Sequence, residues 1–257
     1  MLPNGTQSPE ALAYFNNSFI KTLLLDIETL PCLGFFWDRP WETSIIHVVK
    51  QWQILSFSAK WLGGSQETHI YHKTDKFLLK KIWKLLDEAE IVIYHNGDSF
   101  DRKKINARFL YWQLPPPSPY RTIDTLKISR SQFGLISHKQ DDIGEYAGTG
   151  RKIKVDKQLW LDCIEGKRLK EMKRYNAQDV VLLEKNYLRF RPWIKNHPVL
   201  GVYLNHTACP RCTSRSVKRE GFRYTNTGKY QQISCKNCYG WSQVGPNLLE
   251  IKPLKSI

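Results

Sequence analysis

The stretch Thr22-Leu23-Leu24-Leu25-Asp26-Ile27-Glu28 constrains this chain more than any other: an apolar run that ends in two carboxylates one residue apart. A short apolar run of this kind is a buried strand or part of a buried helix. On a strand, side-chain alternation puts Asp26 and Glu28 on one face. Two carboxylates held that close repel each other unless a cation or a proton lies between them. The stretch is therefore a metal site or a solvated strand edge, and other acids in the chain must decide which.

Two further carboxylates stand in similar settings. Ile91-Val92-Ile93-Tyr94 is predicted as a buried strand, running into His95-Asn96-Gly97-Asp98-Ser99-Phe100-Asp101 ahead of an amphipathic helix to about Leu110. Asn96 and Gly97 favour a tight turn, and a strand-to-helix junction is where α/β folds place ligands. Asp101 could equally be a helix cap. In a long helix predicted from Arg168 to about Phe190, Tyr175 and Asp179 share a face through their spacing of four. Val180, Val181, Leu182 and Leu183 follow Asp179. A carboxylate buried there needs a partner or a metal; a solvated helix residue is the alternative.

The rest of the first two hundred residues suggests a mixed sheet with helices on its faces. Gln53 to Trp61 alternates like a strand, Gly63-Gly64 turns it, and Glu67 to His72 returns. Thr74 or Asp75 can cap a helix to Glu88 with Phe77, Leu78, Ile82, Leu85 and Leu86 on its apolar side. Thr122 to Leu126 fits a fifth strand, and residues 127–166 fit short helices joined by glycines. Pro31 to Val49 is expected to be irregular, with Phe35, Phe36, Trp37 and Trp41 packed beneath a long loop; stacking on nucleic-acid bases is the alternative. Cys32 and Cys163 are expected to be buried or neutral structural thiols. The expected organisation is an arm over 1–20, an α/β domain over 21–200 and a small β domain over 205–257.

That last segment carries Cys209-Pro210-Arg211-Cys212 and Cys235-Lys236-Asn237-Cys238, a C-x₂-C-x₂₂-C-x₂-C pattern. Four thiolates at this spacing suit one tetrahedral Zn²⁺, and the segment resembles a zinc ribbon. Arg215, Lys218, Arg219, Arg223 and Lys229 lie between the pairs, with Tyr224 and Tyr230 among them, and are candidate nucleic-acid contacts. From residue 205 onward there are nine Lys+Arg against two Asp+Glu, within a chain of formal charge +15. Such an excess points to a polyanion, nucleic acid first and an acidic membrane surface second. Protein docking is the competing role for the ribbon. No apolar run reaches the roughly 18–20 residues of a membrane span, and no secretory signal is visible. A cytoplasmic protein is expected.

In order along the chain, the acids form Asp-x-Glu, Asn-x-x-x-Phe-Asp and Tyr-x-x-x-Asp. This resembles the DEDD superfamily of 3′→5′ exonucleases, tyrosine branch, over roughly residues 20–190. Thr122-Ile123-Asp124-Thr125-Leu126 and Asp142-Ile143-Gly144-Glu145-Tyr146 are similar to stretches of the exonuclease domains of family B polymerases. The resemblance is to stand-alone relatives in bacteria and phages. It implies a ribonuclease H-like five-stranded mixed sheet and phosphodiester hydrolysis with two Mg²⁺ or Mn²⁺ ions about 4 Å apart. By the same resemblance Asp26 would bridge the ions, Glu28 and Asp179 would hold the one that activates water, and Asp101 would support the other. Tyr175 would orient the attacking water. Thr29, Leu30, Asn96 and Phe100 are candidates for contacting the terminal nucleotide. The implied substrate is nucleic acid with a free 3′ end, DNA favoured, in partnership with replication or recombination proteins. The alternatives are an endonuclease on the same fold and a non-catalytic nucleic-acid or replisome adaptor.

Overall fold

The apolar run forms strand β1 (Thr22–Thr29), the middle strand of a five-stranded sheet. The computed structural model describes residues 20–38, 44–198 and 208–249. The chain divides into two compact units, one of Lys21–Leu188 and one comprising Met1–Ile20 and Arg189–Ile257.

In the first unit, β4 (Ile54–Trp61) pairs antiparallel with β1, and β5 (Gln66–Ile70) antiparallel with β4. On the other side β6 (Ile91–Tyr94) runs parallel to β1, and β7 (Arg121–Asp124) parallel to β6. The sheet order is β5-β4-β1-β6-β7. Six helices accompany it among the described residues: α1 (Lys76–Glu88), α2 (Asp101–Tyr111), α3 (Thr125–Gln132), α4 (Gln140–Tyr146), α5 (Gln158–Ile164) and α6 (Leu169–Phe190).

The two faces of β1 differ as its alternation demands. Leu23, Leu25 and Ile27 join Phe57 and Ala59 in a core with Leu78, Leu79, Ile82 and Leu86 of α1 and Ile105 and Phe109 of α2. Full burial of each such side chain stabilises the fold by about 1.5–3 kcal/mol. The opposite face begins with buried Thr22 and Leu24 and turns polar toward the strand's end. Asp26 and Glu28 pair there with Ser58 and Ser56 of β4, and α6 is fastened over them. Ser56 Oγ donates to Asn176 Oδ1 at 3.1 Å. Gln66 Nε2 donates to Ser58 Oγ at 2.9 Å and to the Ala177 carbonyl at 2.7 Å.

Four expectations are corrected. Phe77 is 54% exposed and Leu79 takes its place in the core, because the helix phase is set by Leu78, Leu79, Ile82 and Leu86. Of the two cap candidates, Thr74 Oγ1 accepts from Lys76 N at 3.4 Å, whereas Asp75 holds the N-cap position with no side-chain cap; it is wholly buried and accepts from Ile54 N (3.1 Å), Arg108 Nε (2.5 Å), Arg108 Nη2 (2.8 Å) and Trp112 Nε1 (2.7 Å). The fifth strand stops at Asp124, whose carboxylate accepts from Leu126 N at 3.0 Å and so starts α3 at Thr125. Within the segment expected to be irregular, β2 (Leu33–Phe36) and β3 (Ile45–Lys50) pair as an antiparallel hairpin. Phe35, Phe36 and Trp37 are 64%, 47% and 73% exposed rather than buried; Trp41 lies outside the described residues. Cys163 is buried as expected, whereas Cys32, at the root of this hairpin, is exposed.

The second unit contains a three-stranded antiparallel sheet in the order β10-β9-β8, from β8 (Val217–Thr225), β9 (Gly228–Cys235) and β10 (Trp241–Val244).

Candidate metal centres

β1 carries Asp26 and Glu28 to its C-terminal end, where a β-bulge shifts its register against β4 between Glu28 and Thr29. Bulges of this kind re-aim side chains and recur beside functional sites. α6 supplies Asp179 from above. Carboxylate oxygens of Asp26, Glu28 and Asp179 all lie within 4.8 Å of one another. Asp101 stands outside that trio but touches its strand. The parallel pairing of β1 with β6 ends at Leu24 and Ile93, so the Ile27 N–H has no partner in that ladder; Asp101 Oδ1 accepts it at 3.1 Å. Asp101 is the first residue of α2 and only 4% exposed, and the position before it is Phe100. It is thus a link from helix to strand, and not the helix cap.

Burial and mutual repulsion make the ionised cluster costly. Asp26 is held well above the usual carboxylate range by burial first, then by Asp179, Asp101 and Glu28. Glu28 is pushed up to about 8 by burial and Asp179. Asp101 is pushed up to about 7 by burial, against the stabilising Ile27 N–H. Burial also raises Asp179, opposed by Lys152. The Lys152 ammonium lies 2.6 Å from Asp179 Oδ2, and hydrogen bonding from Lys152 and from the Tyr175 hydroxyl partly offsets the upward shift of Asp179. Three clustered oxygen donors with too few protons or cations fit hard divalent metals such as Mg²⁺ or Mn²⁺.

Other side chains hold the cluster in place. Asn176, fully buried, donates through Nδ2 to Asp26 Oδ2 at 2.6 Å while Ser56 bonds its Oδ1. Trp160 Nε1 on α5 donates to Glu28 Oε2 at 3.2 Å, and its ring meets Tyr175 edge-on at 5.8 Å. Lys152 lies 5.3 Å from the Tyr175 ring centroid. Its position follows from its neighbours: its own N–H donates to Asp141 Oδ1 at 2.6 Å, and Arg151 pairs with Asp141 and Glu145 of α4. Burial by itself would lower the Lys152 pKa, but Asp179 and Asp26 raise it above the ordinary value, so the ammonium stays charged. Burial and the neighbouring Asp179 push the Tyr175 phenol upward, so it keeps its proton. His95 is out of this chemistry: it bonds Thr125 Oγ1 at 2.9 Å, and burial lowers its pKa to about 4.

The cysteines make a second centre. Cys209, Cys212, Cys235 and Cys238 are all buried, with sulfurs within 4.8 Å of one another. The Cys209–Cys238 and Cys212–Cys235 sulfurs are 3.6 Å apart. That is far too long for a disulfide and near the roughly 3.8 Å edge of a tetrahedron with Zn–S bonds of about 2.3 Å. The two pairs form matching turns. Thr213 N donates to the Cys209 carbonyl at 2.8 Å and Tyr239 N to the Cys235 carbonyl at 2.9 Å, with Thr213 and Tyr239 both at φ 59°.

In fold, most of the chain is similar to a DNA polymerase. The match is to a family B DNA polymerase from the hyperthermophilic archaeon Pyrobaculum calidifontis, with a TM-score of 0.51 and 13% sequence identity. It covers 84% of this chain and 33% of the polymerase, so the chain spans about a third of its neighbour's length. No protein-family model and no curated protein sequence matches the chain.

Of the residues expected to touch a terminal nucleotide, Asn96 and Phe100 are exposed and Thr29 is half-buried. Leu30 is in the core with Leu55, Leu159 and Met172, so its side chain is not presented there. In the ribbon, Lys218, Arg219 and Arg223 are exposed and Lys229 half-buried; Lys218 is paired with Glu220 at 2.7 Å. Lys152, Trp160 and Asn176 are what sequence reasoning missed. Asn176 sits inside the Tyr-x-x-x-Asp motif and could have been found there; no local pattern marks the other two.

Proposed function

We propose that the chain is a metal-dependent 3′→5′ exonuclease acting on nucleic acid, DNA favoured, with the zinc ribbon as a nucleic-acid grip. The observation that carries this reading is the convergence of Asp26, Glu28 and Asp179 within 4.8 Å, the first two half-buried and the third buried, with the Asp26 pKa raised by desolvation and by its acidic neighbours. A pair of divalent cations held by such oxygens supplies an activated water and charge for a departing 3′-oxygen. Asp26, Glu28 and Asp179 would hold these ions, and Asp101 would lend its second carboxylate oxygen to one of them. Tyr175, protonated and directed at the site by Trp160, orients the attacking water by hydrogen bonding and does not act as a base. Lys152 offsets charge on Asp179 and the approaching phosphate. Asn176 keeps Asp26 in one rotamer. The fold likeness to a DNA polymerase supports a nucleic-acid substrate.

The test uses single-stranded DNA labelled at the 3′ or the 5′ end, with Mg²⁺ or Mn²⁺. The expected outcome is mononucleotide release from the 3′ end, reduced on the order of 10³-fold in Asp26→Ala. Cleavage inside a circular strand would replace the reading by an endonuclease. Absence of metal-dependent cleavage of DNA and RNA would leave a binding adaptor.

A further inference from the structure

The ribbon sheet has two unlike faces, and one is built around exposed rings. Phe222 pairs with Gln231 and Tyr224 with Lys229 across β8 and β9. Paired residues project to the same side, so these four share a face. A bulge creates that arrangement. Between Arg219, opposite Ile233, and Phe222, opposite Gln231, β8 has one residue too many, and Gly221 there adopts φ +59°. Simple alternation from Arg219 would have turned Phe222 and Tyr224 to the other face; the extra residue re-aims them.

Among the described residues, the ribbon's buried cluster of four cysteines, with Val217 packed against it, does not include the two rings. Phe222 is 44% and Tyr224 70% exposed, while the cysteines and Ile233 are buried. The Lys229 ammonium lies 4.2 Å from the Phe222 centroid and 5.7 Å from that of Tyr224. Among the described ribbon residues, 208–249, Glu220 is the single acid against seven Lys+Arg, and it is engaged by Lys218. The surroundings of the rings are thus cationic and polar, which suits phosphate and not an apolar protein partner. Aromatic rings two apart on a strand, about 6.6 Å from each other, can each take one base. A duplex keeps its base faces inside its own stack; a single strand leaves them open.

We infer that this face binds single-stranded nucleic acid, stacking unpaired bases on Phe222 and Tyr224 with Lys229 and Arg219 meeting the phosphates. The inference rests on the ribbon being a nucleic-acid grip and is independent of the acid cluster. It is tested on the full-length, zinc-loaded chain carrying Asp26→Asn, which spares the probes. Fluorescence anisotropy is measured with a labelled oligothymidine, an abasic strand of equal length and a blunt duplex. In a Phe222→Leu/Tyr224→Leu double variant the rings are lost and apolar bulk is kept. Oligothymidine binding should weaken by about 10–100-fold, with the abasic strand and duplex changed by less than about twofold. Trp241→Leu, on the opposite face by its pairing with Ser234, should change none of them. Equal loss on all three probes, or no loss on any, overturns the inference; the second outcome would give the face to a protein. Retained zinc is checked in each variant. If the double variant loses it, Tyr224→Leu alone is held to the same criteria, with about a 5–10-fold loss expected. A chain that cuts nothing would still give this result, so the two readings fail separately.

Discussion

Glu28 and Asp101 are carboxyls held in the fold with values of about 8 and about 7, each raised first by burial. In an unfolded chain both would titrate near 4. Between those limits the folded state binds more protons than the unfolded one, so stability falls as pH rises. Without added Mg²⁺ or Mn²⁺, the stability held near pH 5 should be lost progressively toward about pH 8. Added ions should restore it, and by more at the upper end. Thermal melts of zinc-loaded protein with and without Mn²⁺ at both ends of that window measure this, and the difference from Glu28→Gln isolates the site from the rest of the chain. A Mn²⁺ effect that shrinks with rising pH would refute the cluster as drawn. The same balance explains Lys152, whose ammonium lies 2.6 Å from Asp179 Oδ2 and offsets its charge.

Asp101 reaches the site because of the turn between β6 and α2. Asn96 sits at φ 68°, and the Asp124 carboxylate accepts from Asn96 N at 2.9 Å and Asp98 N at 3.2 Å. Gly97 packs so closely that an added Cβ would stand 2.1 Å from Tyr94 Cβ. Gly97→Ala must therefore push the turn away from Tyr94. A loss of about 1–3 kcal/mol is expected, seen as a lower urea midpoint at unchanged slope, with the proposed nuclease activity falling alongside. Most elements around this turn were legible beforehand. The apolar run of β1, the alternation of β4, the Ile-Val-Ile of β6 and the four-residue spacing in α6 each declare their structure through one period. The β2–β3 hairpin was not legible, because Phe35, Phe36, Ile45 and Ile46 stay exposed and so obey no inside-outside pattern. Asp75 was misleading for the opposite reason: its capping position is a local signal, whereas Arg108 and Trp112 are long-range partners. The acids could be listed from sequence, but not that Asp101 stands apart from the other three.

At the scale of the whole molecule, the two units rest on different physics. Lys21–Leu188 encloses a core of fully buried Leu, Ile, Val and Phe side chains; the ribbon's tightest cluster is its four cysteines. A segment that small would draw folding energy from a Zn²⁺ ion bound at those cysteines. Zinc removal by a strong chelator should abolish hydrogen-exchange protection across residues 217–244 and leave protection in β1, β4 and β6 essentially unchanged. Loss of protection throughout would show that the units do not hold separately. No helix among the described residues is long and apolar enough to cross a membrane. The scattering of the acids along the chain also sets a schedule. Asp26 and Glu28 leave the ribosome early, yet Asp179 arrives from the last long helix of the larger unit. Chains emerge N-terminus first, so the nascent protein carries its first two acids long before it can close a cage around an ion. On the proposed function, no complete metal site exists until α6 has been made.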